Sequence, residues 1–447
     1  MTYTLAEVIE VSAWGRFVGA VVPDPATGFY AFQYDDSWIA SGADLAPLHL
    51  PRRAGVFEFP ELSRATFYGL PALLADALPD RFGSALVNAW MAEQGVEPDR
   101  VTPLDRLAYA STRALGALSF APPTGPEASK VSMVQLADLV AAARAQITGT
   151  LDEYDVHESL TSLISVGTSA GGARAKAVLA YNPATGQMRS SQLHAPDGYQ
   201  QWLLKLDGVG DPVNHPSDPF VTSEECCRVE YAYYLMAIEA GVEMSESRLL
   251  LEGPRAHFMT RRFDRGPSNE RVHVQTLCAL AHLDYNLART HSYSSYFLTA
   301  RALGLGPDAR QQMFRRVAFN VMGVNRDDHT KNFSFLLPEH GSWRLAPAYD
   351  VTHSHWGGEW TRAHQMSVNG HFDGISLDDL RTLGDLHDVP GIDAVLSDVA
   401  TATDNWRDFA AQAGVNATTT DKIAHDVDEF RPRSTARHGS SRAQRTT

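Results

Sequence analysis

Hydrophobic and polar residues change rhythm along this chain, and each change predicts an element. From Val11 to Val22 strand-forming residues flank a glycine turn, which predicts a hairpin. Leu70 to Trp90 reads as a helical stretch. Ala121 to Glu127 packs three prolines and a glycine into seven residues and marks a linker. A helix is expected directly after it. Ser132 and Gln135 form a capping box, and Leu136, Leu139, Val140, Ala143 and Ile147 follow at helical spacing. Trp202 to Leu206 is an apolar strand interrupted by one lysine, and a helix is expected over about 225 to 240. An amphipathic helix ends near Gly323, a polar loop follows, and Phe333 to Leu337 reads as a strand. Arg431 to Thr447 holds five arginines and no aliphatic residue larger than alanine. It cannot bury a face, so a disordered basic tail is expected.

Length and composition narrow the class. A chain of 447 residues is expected to form two or three folding units, and 44% hydrophobic with 20% charged residues suits a globular protein with a real core. A formal net charge of -15 argues against gripping nucleic acid alone, and leaves DNA contact through a basic partner open. The three cysteines are Cys226, Cys227 and Cys278, with no CxxC or Cys/His ligand spacing, so neither a disulfide scaffold nor a zinc site is expected. A reducing cytosol, and hence a cytoplasmic protein, is the simple reading. Glu7 and Glu10 stand where a signal peptide needs apolar residues, and no run of about 18 apolar residues occurs, so no membrane partner is expected.

The strongest chemical signal lies between Asn320 and Thr352. Protein kinases set a carboxylate at the acceptor hydroxyl and an amide oxygen on magnesium, spaced Asp-x-x-x-x-Asn. Asp327 and Asn332 have that spacing, and Arg326 precedes the Asp. A second carboxylate must reach the metal from the end of a nearby strand, and Asp350 stands there, followed by Val351 and Thr352 in place of Phe-Gly. The bland alternative is a polar turn capped by Asp and Asn.

An upstream half fits the nucleotide. Lys205, inside its apolar strand, needs an anionic partner, because an unpaired buried ammonium is costly. The helix expected next offers Glu230, with Glu224 and Glu225 as rivals. Between Val166 and Val178 small residues let backbone N–H groups approach phosphate, and Lys176 adds charge. That loop is neither Gly-x-Gly-x-x-Gly nor a Walker A sequence.

Four blocks together resemble the HipA-type serine/threonine kinase toxins of bacterial toxin–antitoxin systems. They are Gly167 to Lys176, Trp202 to Leu206, Met259 to Arg265, and Arg326 to Phe333 followed by Ala346 to Asp350. Ala75 to Phe82 and Gly116 to Phe120 resemble the same family's N-terminal domain. The resemblance implies an α+β, two-lobed protein-kinase-like fold with a small α/β N-terminal domain and a helical C-terminal lobe. Its divisions would be 1–125 for the N-terminal domain, 126–265 for the nucleotide-binding lobe, 266–430 for the helical catalytic lobe and 431–447 for the tail.

It also implies roles. Asp327 matches the catalytic base, and Asn332 and Asp350 match the ligands of Mg2+. ATP would be bound by Gly171, Gly172, Ala173, Arg174, Ala175 and Lys176 of the loop, by Lys205, by Arg261, Arg262 and Phe263 near adenine, and by His329, Lys331 and Asn332. Ser169 matches a loop serine that such kinases autophosphorylate, with Thr168 as neighbour. Arg261 replaces a frequent Glu, and Ala175 a frequent Pro. The implied partners are a small helix-turn-helix antitoxin, DNA only through it, and a protein substrate, an aminoacyl-tRNA synthetase being the family's best-known target. Two other readings stay open. One is a lipid or small-molecule kinase, because Asp327 to Asn332 also resembles the loop of phosphatidylinositol kinases. The other is a non-catalytic co-repressor of a DNA-binding antitoxin.

Overall fold

The structure, a computed structural model, describes residues 3–124, 174–190, 197–210, 225–355 and 358–434. The expected helix after Ser132, Thr168, Ser169, Gly171 to Ala173, Glu224 and residues 435–447 lie outside the described residues.

Strands β1 (Ile9–Ala13), β2 (Arg16–Pro23), β3 (Tyr30–Tyr34), β4 (Val56–Phe57) and β5 (Leu118–Ala121) form an antiparallel sheet in the order β4-β3-β2-β1-β5. The expected hairpin turns on Trp14 and Gly15, with φ of +50° and +73°. Two positive angles are what a tight hairpin with right-twisted strands demands. Helices α1 (Asp36–Ser41), α2 (Arg64–Phe67), α3 (Ala72–Ala75), α4 (Arg81–Glu93) and α5 (Pro103–Ala110) complete this region. The stretch from Leu70 to Trp90 is therefore not one helix. Pro79 lacks an N–H and pushes Leu78 out of helical geometry, so the chain breaks and restarts. The restart is capped by Asp80, whose carboxylate accepts from the Gly83 N–H at 2.7 Å.

A second antiparallel sheet has the order β7-β6-β8-β10-β9, from β6 (Arg174–Tyr181), β7 (Met188–Ser190), β8 (Gln200–Gly210), β9 (Ser247–Glu252) and β10 (Arg255–Arg261). One face packs Ala175, Ala177, Leu179, Trp202, Leu204 and Leu206 against Phe82, Leu86, Val87 and Met91 of α4. The other face is covered by α6 (Cys226–Glu239). Cover on both sides explains why Trp202 to Leu206 reads as a nearly unbroken apolar run.

The remaining chain forms a mainly helical lobe. It contains β11 (His273–Thr276), α7 (Leu277–Ala281), β12 (His291–Ser292), α8 (Tyr293–Ala302), α9 (Pro307–Met322), β13 (Ser334–Leu337), β14 (Arg344–Leu345), β15 (Met366–Ser367), α10 (Leu377–Leu386), α11 (Ile392–Asp404), α12 (Trp406–Ala413) and α13 (Ala417–Glu429). Helix α9 starts with Pro307 at its first position and packs on α11, while α12 packs on α6. Tyr233, Phe297, Phe314, Phe319, Trp406 and Ile423 fill the shared core.

A polar seam joins the first sheet to this lobe. Asp264 is 1% exposed and accepts from the Gly116 N–H at 2.9 Å, from Arg262 at 2.6 Å and from Arg265 at 2.5 Å. Arg271 donates to the carbonyls of Ala114, Gly116 and Leu118. Gly116 has φ +77°, and a Cβ there would meet the Val274 nitrogen at 2.9 Å, so glycine is required. Although burial opposes ionisation, Arg262 and Arg265 hold the Asp264 carboxyl well below the usual carboxylate range. A carboxylate depressed in the folded state stabilises above the ordinary carboxylate pKa, and that contribution is lost as pH falls toward the folded value. Asp264→Ala should cost about 3 kcal/mol, because it strands buried cations. The urea unfolding midpoint measures this, and a midpoint equal to wild type at neutral pH would contradict the seam's role.

Candidate active site

The site begins with one lysine. On β8, Trp202, Leu204 and Leu206 face α4, so Lys205 points the other way, toward α6. Its Nζ lies 2.5 Å from Glu230 Oε1 on α6 and 2.5 Å from Asp350 Oδ1. Burial disfavours this ammonium, but Asp350 and Glu230 outweigh it and raise its pKa above the ordinary lysine value. Lys176 stands opposite Lys205 across the β6–β8 ladder and is equally buried, at 5% exposed. Its pKa is lowered, by burial first and by Lys205, with Asp350 pulling the other way. Asp350 receives both fields. Against burial, Lys205 and Lys176 hold its carboxyl well below the usual range. Its backbone sits at φ +55°, a left-handed conformation that Asp tolerates better than most residues.

The polar loop after α9 supplies the second half. Asp327 is half-buried, its side chain 39% exposed, and Oδ1 accepts from Trp360 Nε1 at 2.7 Å. His329 Nε2 is 3.8 Å from the same oxygen. Burial raises the Asp327 pKa; His329 and the Trp360 hydrogen bond lower it in part, while Asp350 and Asp328 add to the rise. Asn332 Nδ2 donates to the Asp327 carbonyl at 2.8 Å, which leaves its Oδ1 as the remaining acceptor. A cavity of about 20 Å3, room for one water, is lined by Asn320, Asn325, Asp328, Asn332, Tyr349 and Asp350.

A buried network fixes this loop. Asp328 is 1% exposed. It accepts from Tyr293 at 2.5 Å and from the Gln365 N–H at 2.7 Å, and His364 Nδ1 lies 2.9 Å away. Asn320 donates to the Tyr293 hydroxyl at 3.0 Å, and Asn325 donates to Asn320 at 2.9 Å. Arg326 turns from the site, pairing with Asp373 at 3.1 Å and stacking 4.0 Å from the Phe430 ring. Tyr349 donates to the Lys331 carbonyl at 2.7 Å. Val324, a β-branched residue at φ +56°, marks the strained entry to the loop.

The fold thus gathers Lys176, Lys205, Glu230, Asp327, His329, Asn332 and Asp350. Glu225, a rival of Glu230, instead accepts from the Asn416 N–H. Other expected residues are engaged elsewhere. Arg262 makes two hydrogen bonds to Asp264. Phe263 packs 5.6 Å from Tyr349, centre to centre. Arg261 ends β10, half-buried. Lys331 lies 4.8 Å from the Tyr285 ring, and Asp76 helps hold its pKa up against burial. Asp76 itself accepts from the Thr276 N–H at 2.7 Å and from its hydroxyl at 2.9 Å. Asp80 faces the lysines as well: burial pushes it up to about 6, and Lys176 draws it back. Sequence reasoning missed Asp76, Asp80, Asp328, Tyr293, Trp360 and His364. The doubled Asp327-Asp328 pointed to Asp328, and Asp76 and Asp80 lie in the Ala75 to Phe82 block that resembles the family's N-terminal domain, but Tyr293, Trp360 and His364 carry no local signal.

The donor set suits a hard cation. The Asp350 carboxylate, its side chain 28% exposed, and the Asn332 amide offer only oxygen, which fits Mg2+. Among the described residues no helix is long and apolar enough to cross a membrane.

Comparison with known proteins follows the same lines. Residues 168–433 match the family model described as HipA-like C-terminal domain, and residues 9–121 match the HipA N-terminal domain. A Sinorhizobium fredii (strain NBRC 101917 / NGR234) protein named "Putative kinase Y4dM" is 30% identical over 129 residues, 28% of this chain and 30% of that protein. A Haemophilus influenzae protein named "Putative kinase" is 26% identical over 134 residues, 27% of this chain and 39% of that protein. The chain therefore aligns with less than half the length of either curated relative. The solved structure of the Shewanella oneidensis MR-1 toxin–antitoxin system HipA, in complex with HipB and its operator DNA, is 15% identical, with a TM-score of 0.63. That match covers 94% of this chain and 95% of the other, and it shows a shared two-lobed, kinase-like fold. With more than half of its length inside the first match and its N-terminal sheet inside the second, the chain belongs to the HipA family.

Proposed function

We propose that this chain is an ATP-dependent serine/threonine protein kinase that acts as the toxin of a toxin–antitoxin pair. The observation that carries the reading is Lys205 held at 2.5 Å from both Glu230 and Asp350, beside the loop bearing Asp327 and Asn332. Lys205 binds the α- and β-phosphates, with Glu230 fixing its position, and Lys176 adds a second positive charge. Asn332 and Asp350 would hold Mg2+, which when bound would neutralise charge on the phosphates. Asp327 accepts the proton of the acceptor hydroxyl as that oxygen bonds to the γ-phosphorus and the bond to the β-phosphate oxygen breaks. The Trp360 and Asn332 hydrogen bonds orient Asp327 for this step. A cytoplasmic setting suits three buried cysteines that form no disulfide. Family membership supports a small helix-turn-helix antitoxin as partner, DNA contact through that partner, and a protein substrate of the aminoacyl-tRNA synthetase class. The Shewanella relative was solved with HipB and operator DNA, and the same kind of assembly is proposed here.

Three outcomes test this reading. Asp327→Ala should lower phosphotransfer about a hundred- to ten-thousand-fold while ATP affinity stays within a few fold. Radiolabel transfer from ATP into protein at the wild-type rate would remove Asp327 from the role of base; transfer into lipid alone would replace the protein substrate. The pH profile gives a second test. A base must be ionised, so a raised pKa sets the acid limb of the rate profile above the ordinary carboxylate value. Trp360→Phe removes a hydrogen bond that favours the charged form, so the acid limb should move further up. A shift downward, or none, would contradict the assignment. Third, Ser169 lies outside the described residues, and its proposed autophosphorylation rests on family resemblance and its Gly/Ala-rich neighbours. Its phosphate adds about -1.5 to -2 charge near the triphosphate, so the modified chain should bind ATP poorly. Mass spectrometry after incubation with Mg·ATP should find phosphate on Ser169, and an unmodified loop in an active enzyme would end that part of the proposal.

A further inference from the structure

Cys226 and Cys227 lack any zinc-motif spacing in sequence, but the fold brings a buried carboxylate, Asp207, beside them. Strand β8 carries Asp207 to the first turn of α6. Cys226 Sγ lies 3.7 Å from Asp207 Oδ1 and 4.0 Å from Cys227 Sγ. One donor atom from each of the three residues lies within 4.8 Å of the others. All three are buried, Asp207 and Cys227 completely. Tetrahedral zinc, with bonds of about 2.3 Å to sulfur and about 2.1 Å to oxygen, sets its ligands roughly 3.5–3.8 Å apart. The Cys226–Asp207 and Cys226–Cys227 separations are within a few tenths of an ångström of that geometry, and the Cys227–Asp207 separation is at most 4.8 Å.

Asp207 is also held for the task. Its N–H donates to His257 Nδ1 at 2.9 Å, and the Ala256 N–H donates to Oδ2 at 3.4 Å, so Oδ1 is the oxygen toward the sulfur. The other ring nitrogen of His257 lies 3.1 Å from Glu252 Oε2, which keeps the ring in register. Cys227 Sγ lies 3.5 Å from the Lys205 carbonyl oxygen, so that oxygen borders the same space.

We propose that Asp207, Cys226 and Cys227 form a binding site for a thiophilic divalent cation of the zinc class, clamped between β8 and α6. Two sulfurs and one carboxylate favour zinc over magnesium or calcium, which prefer oxygen alone. Binding releases the two thiol protons. Asp207 is two residues beyond Lys205, on the same face of β8, and Cys227 is three residues before Glu230, on the same side of α6. The cation ties strand to helix next to the Lys205–Glu230 ion pair, and so holds the helix where that pair closes. The link to phosphotransfer rests on the kinase reading; cation binding does not.

The test uses the full chain, stripped with chelator and kept reduced without oxygen, and cobalt(II) as probe. One equivalent should give a near-ultraviolet thiolate-to-cobalt band with the visible absorption of tetrahedral cobalt, and zinc should displace it. The Cys226→Ala/Cys227→Ala variant should lose the band, while Cys278→Ala, which removes the remaining thiol, should keep it. Losing an outer partner of a ligand already weakens metal sites about 10–100-fold. Asp207→Asn should therefore weaken cobalt binding by at least about tenfold, in a chain whose circular dichroism matches wild type. No band in wild type, the same band in the double variant, or its loss in Cys278→Ala would overturn the proposal, whatever the kinase assays show.

Discussion

One buried ammonium organises the candidate site of this molecule. Lys205 is 5% exposed, and a lysine so placed is tolerated only with anions in contact. Two carboxylates meet that demand, and they come from opposite sides of the cleft: Glu230 from the helix on the strand lobe, Asp350 from the chain beyond β14. The same contact that keeps Lys205 charged therefore joins sheet, helix and lower lobe. Lys176 tightens the constraint, because two neighbouring lysines need Asp350 as a shared counter-charge.

The loop that faces this cluster is fixed from behind. Asp328 is tied down by Tyr293, His364 and the Gln365 backbone, and reaches only the wall of the small cavity it shares with Asn332 and Asp350. Asp327, one residue earlier, points the other way and keeps its side chain partly exposed. Two adjacent aspartates thus divide between holding the loop and presenting a carboxylate to solvent. An unpaired polar group at that depth costs about 1–3 kcal/mol, and among the described residues Asn325 Oδ1 and Gln365 Oε1 of this network are left without a partner.

Local chemistry was legible in the sequence. A lysine inside Trp202 to Leu206 announces an anionic partner by its burial cost alone, whereas the break between α3 and α4 went unread, because the apolar spacing from Leu70 onward masks Pro79. Asp327, Asn332 and Asp350 are readable as a spacing, because loop and strand lie close together in the chain. Contacts set by the fold left no such trace. Trp360 reaches Asp327 across 33 residues and Tyr293 reaches Asp328 across 35, with no periodicity to connect them. Asp264 looks like part of an Arg-Phe-Asp-Arg motif near the nucleotide, yet its carboxylate is committed to Gly116 and two arginines. The cysteines were read by motif spacing, which cannot see a ligand brought in by a neighbouring strand.

The packing of α4 on the second sheet has an evolutionary reading. Trp202, Leu204 and Leu206 are buried by Phe82, Leu86, Val87 and Met91, residues encoded more than a hundred positions upstream. A gene fission between the two regions would leave the downstream product with an uncovered apolar sheet, prone to stick to itself. It would survive only if the upstream fragment were made alongside it and bound in trans. The two halves are therefore held to co-inheritance and matched dosage by a hydrophobic face, quite apart from anything the active site requires.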